Sequence, residues 1–395
     1  MSSTADDLAL WAVELDPAAE DLDLADRALL DTVAVAVAAR THPVMAIAAG
    51  LPETARWAVA GHVLDFDDLH IESTTHVSVV CVPAVLSTGG GARAYLAAAG
   101  VMARLGVSLG WSHYAAGWHA TSTAGAPAAA VGAAIALGLD PPLVATAMAL
   151  AVPAAGGVQR AFGTDAKSLQ VGFAAEAGVR AARLAAAGAC ADVTAVDAWL
   201  ALLGADPTRF DLTGPAVPGG LATKIYPCCY ALQRPISTLS GVAAAGLDPW
   251  SVTRIVLRTP KATVTPLIHH RPSTGLQAKF SLEYAAAAAL LDSYQGFASF
   301  TDEAACRPEA RRLVDLVEVQ LTDGGDWLLA GELEVEVHAG GQVHRARSTY
   351  PPGSPQRPPT HAELRRKVSD CLTGTVLDPA TVDWSCAADV LRHHC

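Results

Sequence analysis

Between Leu24 and about Gly188 the chain is written largely in alanine, leucine and valine, interrupted by short Gly, Pro, Thr and His breaks. That text admits few folds. Alanine is the best helix former, and the two-residue alternation of a half-buried strand is scarce throughout the stretch. Hydrophobic residues make up 51% of the chain and charged residues only 17%. Because much of the apolar share is alanine, which contributes little transfer free energy per side chain, the core has to come from helices that pack closely. The pattern predicts helices over Ala25 to Arg40, Val82 to Leu105, Ala126 to Leu139, Pro142 to Ala151 and Ser168 to Ala187. Asp140 and the two prolines after it mark a stop and restart.

After Lys224 the character changes. Ser251 to Thr259 (SVTRIVLRT) and Gly331 to His338 (GELEVEVH) alternate apolar and polar residues as half-solvated strands do, with a helix-sized run, Ser281 to Leu291, between them. A chain of 395 residues also exceeds what one hydrophobic core usually supports. The expected class is mainly α: a large all-helical domain over 1–221 with an inserted smaller α+β domain over 222–352. Tyr350 to Pro358 (YPPGSPQRP) reads as a linker, and His361 to Cys371 returns to a helical pattern, so 353–395 is expected to rejoin the helical domain.

A formal charge of −12 and a pI near 5.5 argue against nucleic acid as a partner, since that affinity rests on Lys and Arg neutralising phosphates. Cys81, Cys190, Cys228, Cys229, Cys306, Cys371, Cys386 and Cys395 form no CxxC pair and no zinc or iron–sulfur spacing, which reads as a reduced, cytoplasmic chain. Met1 to Asp16 is acidic and lacks the basic and apolar regions of a signal peptide. The longest apolar stretch, Ala124 to Gly157, is mostly alanine and glycine and is broken by Asp140, Pro141 and Pro142, so no membrane span is expected.

Five segments concentrate polar chemistry. The densest is Asp65-Phe66-Asp67-Asp68-Leu69-His70, followed by Glu72 and by Ser73-Thr74-Thr75-His76. Burying charge without partners is costly, so this is either a solvated loop or an organised site. Asp and His are also metal ligands, but no HxH or HExxH spacing supports a metal centre. Gly117-Trp118-His119-Ala120-Thr121 places a His and hydroxyls before an alanine-rich helix, whose first amides favour an anion, although an ordinary cap looks the same. Lys167 introduces a helix with few charges in its first turns; facing inward, it would need an anion to keep its proton. Lys224-Ile225-Tyr226-Pro227-Cys228 and Lys279-Phe280-Ser281-Leu282-Glu283-Tyr284 complete the series. Each of these, taken singly, reads more readily as a surface Lys or a core Tyr.

In order, the five segments resemble the MmgE/PrpD family, which includes 2-methylcitrate dehydratase, cis-aconitate decarboxylase and iminodisuccinate epimerase. Family sequences carry DFDDTH…HPS, GxHPT, K…HxGxAA, KxYPxC and kFSxxY segments in that order. The resemblance implies a helical domain with an inserted α+β lid, a homodimer, an active site between the domains, and a small anionic carboxylic acid as substrate. It places Asp65, His76, His119, Lys167 and Tyr284 at catalytic positions, and Lys224, Thr121, Gln170 and Leu69 at substrate-contacting ones. No metal and no organic cofactor is expected. Departures from the pattern are Leu69 for Thr, Val77 and Ala120 for Pro, and Gln170 and Gln233 where His is common.

A proton alpha to a carboxylate is weakly acidic, and its removal needs a positioned base together with cationic or hydrogen-bond donors for the developing enediolate. His, Asp and Lys supply that set. The expected activity is a lyase, a dehydratase or decarboxylase of a di- or tricarboxylic acid. An isomerase or epimerase, a specialised biosynthetic enzyme, and a non-catalytic binding protein on the same fold stay open as alternatives.

Overall fold

A computed structural model describes residues 3–206 and 210–395. The chain divides into two compact units: one comprises the described residues of 1–160, 165–222 and 365–395, the other 161–164 and 223–364. The mainly helical character is as expected, with one small mixed sheet of four strands.

The first unit is built from α1 (Thr4–Glu14), α2 (Ala19–Ala38), α3 (Pro43–Ala48), α4 (Glu53–Val63), α5 (Ser78–Leu86), α6 (Ala92–Ala115), α7 (Ala120–Ala136), α8 (Pro141–Ala151), α9 (Ala166–Ala186) and α10 (Ala195–Leu202). Helix starts follow their local chemistry. Asp140 caps α8 by accepting from the Leu143 amide at 3.1 Å, with proline in the first helical position. Acidic Glu20 and Asp21 occupy the positive end of α2. The run read as one helix from Val82 to Leu105 is two, because the chain turns through Gly89 (φ +77) before Gly91 opens α6. Helix α7 begins at Ala120 rather than Ala126, and carries Pro127 in its interior.

Alanine and glycine set how closely these helices approach. Residues Ala120 to Ala134 of α7 are all buried. A Cβ added at Gly178 of α9 would lie 2.5 Å from the Ala129 Cβ and 2.6 Å from the Ala126 carbonyl oxygen, so α7 and α9 meet backbone to backbone. Gly172 makes the same kind of approach to α4, where a Cβ would lie 2.8 Å from the Ala55 carbonyl oxygen. By length and composition, α6 is the helix apolar enough to cross a membrane, rather than the Ala124 to Gly157 stretch. Most of it is buried within the unit, and Gly110 (φ +68) interrupts its helical backbone.

The second unit contains α11 (Gln233–Ala244), α12 (Lys261–Val264), α13 (Gly275–Ala278), α14 (Leu282–Leu291), α15 (Asp302–Cys306) and α16 (Pro308–Val314), with β1 (Val252–Pro260), β2 (Val317–Thr322), β3 (Leu333–Ala339) and β4 (Gln342–Ser348). Strand order is β2-β1-β3-β4, with β1 parallel to β2 and antiparallel to β3. Ile255 pairs with Val317 on one side and Val337 on the other. Ile255, Val256 and Leu257 are buried in succession, as befits a central strand. β4 is a mostly solvated edge carrying His344, Arg345 and Arg347. The linker expected at Tyr350 to Pro358 is not solvated at its start: Pro351 to Ser354 are buried, and the Thr223 amide donates to the Gly353 carbonyl at 2.9 Å. A Cβ at Gly353 (φ +80) would overlap the Thr223 carbonyl, so glycine is required there.

The chain ends with α17 (His361–Cys371) and α18 (Ala387–His394), and from Arg365 onward it belongs to the helical unit. Fully buried Lys367 ties this segment down. Its ammonium pairs with Asp31 Oδ1 at 2.6 Å, donates to the Phe66 carbonyl at 2.7 Å and lies 4.3 Å from the Phe66 ring centroid.

Two stability outcomes follow from this packing. Gly178→Ala gains about 1 kcal/mol of helix propensity, but it drives a methyl into backbone atoms, and overpacking costs about 1–3 kcal/mol. The urea midpoint should fall, and an unchanged or raised midpoint would disprove the backbone-to-backbone contact. Lys367→Ala leaves the Asp31 carboxylate buried beside no ammonium, at a cost of about 3–5 kcal/mol. Chemical denaturation of the helical unit reads this directly.

Candidate active site

Helix α4 ends in the apolar run that carries His62, and the chain then reverses through Asp65, whose φ of +52° lies in the left-handed region. Asp tolerates that conformation better than most residues. The Asp65 amide donates to the His62 carbonyl at 2.9 Å, closing the helix end. Thr74 (φ +55) is the other non-glycine residue with positive φ among those described, and it stands in the same segment. Backbone strain of this kind persists where surrounding contacts impose it.

The DFDD segment is not a solvated loop: Asp65, Phe66, Asp67, Asp68, Leu69 and His70 are all buried. They divide by what they touch. Asp68 accepts from the Ser78 amide at 3.1 Å and from the Ser78 hydroxyl, which itself contacts the Tyr95 hydroxyl at 2.7 Å. Burial pushes its carboxyl up to about 7. It fastens the segment to α5 and α6. His70 spends both ring nitrogens on Ser73 Oγ (2.8 Å) and the Pro218 carbonyl (2.6 Å), and Leu69 pairs its backbone with Ala222. These residues hold the segment in shape.

Asp65 and Asp67 face a different set. Lys167, in the first turn of α9, places its ammonium 2.7 Å from His62 Nε2 and 3.1 Å from Asp65 Oδ1. His62 Nδ1 lies 2.7 Å from Asp67 Oδ2, and His76 Nδ1 lies 2.9 Å from the same oxygen. A continuous chain of hydrogen bonds therefore runs Asp65, Lys167, His62, Asp67, His76. An ammonium is donor-only, so His62 Nε2 accepts and His62 Nδ1–H donates to Asp67. Burial is the main reason that the His62 pKa lies below the ordinary value; Asp67 opposes the shift and Lys167 adds to it.

His119 caps α7 and stacks near His62, with ring centroids 5.7 Å apart, while His62 meets His76 edge-on at 4.8 Å. Its Nδ1 lies 2.6 Å from Gln170 Nε2 and 3.2 Å from Ser122 Oγ. Its pKa is held well below 6.5, first by burial and then by Lys167 and the neighbouring imidazoles. Thr121, expected to touch substrate, accepts the His76 backbone amide at 3.0 Å and so fixes the base of that side chain.

Lys224 and Tyr284 lie in the second unit. Lys224 is fully buried there, and Tyr284 is a buried residue of α14 whose hydroxyl donates to the Ser299 carbonyl and whose pKa is raised by burial. Gln233, where relatives commonly carry His, is consumed by backbone: its Oε1 accepts from the Ile225 (2.9 Å) and Tyr226 (3.0 Å) amides, and its Nε2 donates to the Tyr226 carbonyl at 2.8 Å. It braces the KIYPCC turn.

His62 is the site residue that sequence reasoning missed. It sits in an apolar run, ARWAVAGHVL, where a lone His reads as a core residue. The available signal was its place at a helix end, three residues before Asp65. His62, Asp65, Asp67 and His76 also form the described group whose donor atoms, all within 4.8 Å of one another, could hold a metal ion. The Lys167 ammonium already bonds two of these four residues, through His62 Nε2 and Asp65 Oδ1.

Residues 51–199 match the MmgE/PrpD N-terminal domain, and residues 226–388 match the MmgE/PrpD C-terminal domain. The chain is also similar to cis-aconitate decarboxylase from Aspergillus terreus, at 25% identity over 363 residues, covering 80% of this chain and 73% of the relative. The first match spans every residue of the hydrogen-bonded chain, and the two matches together take in most of both units. The protein belongs to the MmgE/PrpD family.

Proposed function

We propose that this chain is a lyase that acts on a small di- or tricarboxylic acid through proton transfer next to a carboxylate. The observation that carries this reading is the buried array of one ammonium, two carboxylates and three imidazoles around Lys167. Such an array costs desolvation energy and gives little net stability in return, which points to chemistry as its use.

The roles follow from what each group can do. Lys167 supplies the positive charge that a substrate carboxylate, or the enediolate formed from it, requires. The imidazole of His76 exchanges a proton with the reacting carbon, and the neutral imidazole of His119 offers a hydrogen bond to the leaving group or the developing charge. Asp67 receives N–H donors from His62 and His76, orienting both rings. In a dehydration the C–H bond breaks, its electrons form the new double bond, and hydroxide departs with a proton as water. In a decarboxylation the bond to CO2 breaks, its electron pair stays on carbon, and that carbon takes a proton. The similarity to cis-aconitate decarboxylase makes loss of CO2 from an unsaturated tricarboxylate the first reaction to assay. Leu69, where relatives commonly have a hydroxyl, is buried and uses its backbone in a bridge to Ala222, which favours a substrate with a less polar contact at that point.

The test is turnover of a panel of hydroxy and unsaturated di- and tricarboxylates, followed by CO2 release and by absorbance of the unsaturated acid. At least one member should turn over, and Lys167→Met should lower kcat/KM by about 100- to 1000-fold, the usual loss on removing a preorganised charge donor. His76→Ala should lose about as much. Tight binding without turnover across the panel, or wild-type rates in either variant, refutes the assignment.

A further inference from the structure

At Nδ1, His119 and His76 meet opposite kinds of partner, an amide NH2 and a carboxylate. We infer that Gln170 is a positioning residue that fixes neutral His119 with its proton on Nε2, so that His119 offers the reacting group a hydrogen-bond donor while His76 is left as the base. The division of labour rests on the lyase reading above; the tautomer assignment stands without it.

The orientation of the Gln170 amide is set by backbone rather than by His119. Its Oε1 accepts from the Val158 amide at 3.0 Å, and its Nε2 donates to the Val158 carbonyl at 3.3 Å. Flipping the amide would oppose two donors on one side and two acceptors on the other, so the orientation is determined by its partners. The Nε2 group also lies 2.6 Å from His119 Nδ1. An amide NH2 only donates, hence His119 Nδ1 must offer its lone pair, and in a neutral imidazole the proton is then on Nε2.

Segment 157–159 holds this arrangement from the other side. The His119 amide donates to the Gly157 carbonyl at 3.0 Å, the Gln159 amide donates to the Gly117 carbonyl at 2.8 Å, and Trp118 bridges Val158. A Cβ at Gly157 (φ +112) would sit 2.7 Å from the Ser122 Cβ and 3.2 Å from Gln170 Oε1, so only glycine leaves room for the contact. Charging His119 would set an N–H against the Gln170 NH2. The lowered pKa of this buried ring agrees with a neutral form at neutral pH.

His76 stands in the opposite situation. Its Nδ1 lies 2.9 Å from the Asp67 carboxylate, which accepts only, so Nδ1 carries a proton and, in the neutral ring, Nε2 carries the lone pair. Gln170 lies three residues beyond Lys167 on the same side of α9. One helix therefore supplies both the ammonium that stabilises charge and the amide that orients the His119 donor.

The experiment is nitrogen-15 NMR of the imidazoles in the intact chain at neutral pH, with His119 and His76 assigned by His119→Gln and His76→Gln. The expected spectrum shows an unprotonated Nδ1 and a protonated Nε2 for His119, and the reverse for His76. A protonated Nδ1 on His119 in the wild-type spectrum overturns the inference, whatever any variant does. Gln170→Glu puts an acceptor against Nδ1 and should move the proton to Nδ1, with a shifted acid limb in the pH profile of kcat. Gln170→Met, which keeps the length and removes the donor, should give mixed tautomers and a fall in kcat of about 100-fold, the scale of losing a preorganised hydrogen-bond donor, with little change in KM. Unchanged His119 signals in a folded Gln170→Glu protein also overturn it. The expected tautomers in a protein that turns over no carboxylic acid would uphold the assignment and defeat the lyase reading instead.

Discussion

Everything at the site depends on one buried contact, the Lys167 ammonium held between Asp65 and His62. An ammonium removed from water pays a large desolvation penalty, recovered only if its partners are close and correctly directed. Both partners come from the end of α4, and the lysine comes from the start of α9. The distance between the two is set by Gly172, which lets the α9 backbone lie against Ala55 of α4. Gly178 repeats the device against α7, the helix that His119 caps. Helix packing built from alanine and glycine is thus what places an ammonium, two carboxylates and three imidazoles in one cluster. Larger side chains at these contacts would separate the groups that the chemistry needs together.

The C-terminal segment contributes from behind. Lys367 grips the carbonyl of Phe66, the residue between Asp65 and Asp67, and pairs with Asp31 of α2. Asp68 anchors the other end of the same segment to Ser78. The residues on both sides of Asp67 are therefore fixed by buried polar contacts, next to Asp65 with its positive φ. Asp65 and Asp67 face the cluster, and Asp68 beside them does not. Acids with different partners thus stand within four consecutive positions, and their residue type alone does not separate them.

Much of the fold was legible because its signals are local. Asp140 with two prolines marked the start of α8, and the alternation in GELEVEVH marked β3. Strands β2 and β4 were not read from the sequence: β2 (VEVQLT) alternates but is a short, weakly buried edge strand, and β4 is a largely polar edge that holds Arg345 through Glu336 of its neighbour. The buried turn at Pro351 to Ser354 looked like a linker because proline and glycine mark turns whether or not another strand of chain covers them. At the site, Asp65, His76, His119 and Lys167 were legible through their order along the chain. His62 was not, since nothing local distinguishes a histidine ending an apolar helix from a core residue. Gln170 and Gln233 show the same limit from another side. Both stand where relatives commonly carry His, yet one orients an imidazole and the other closes a backbone turn, and only their hydrogen-bond partners tell them apart.

The charge balance of the cluster explains why so costly an arrangement suits this chemistry. Asp65 and Asp67 are each met by donors, as ionised carboxylates require, and Lys167 is the one ammonium among them, while His62 and His119 are kept neutral largely by burial. With His76 neutral, the group carries one more negative charge than positive before reaction. In the proton abstraction proposed above, His76 would become an imidazolium facing Asp67, and the excess would disappear as the substrate gains its own negative charge. Repulsion present in the ground state is relieved in the transition state. That difference between the two states, and not the tightness of either, is what accelerates a reaction. On the proposed reading Asp67 would therefore do more than orient two rings: it would favour proton abstraction electrostatically, through the same oxygen that meets His62 Nδ1.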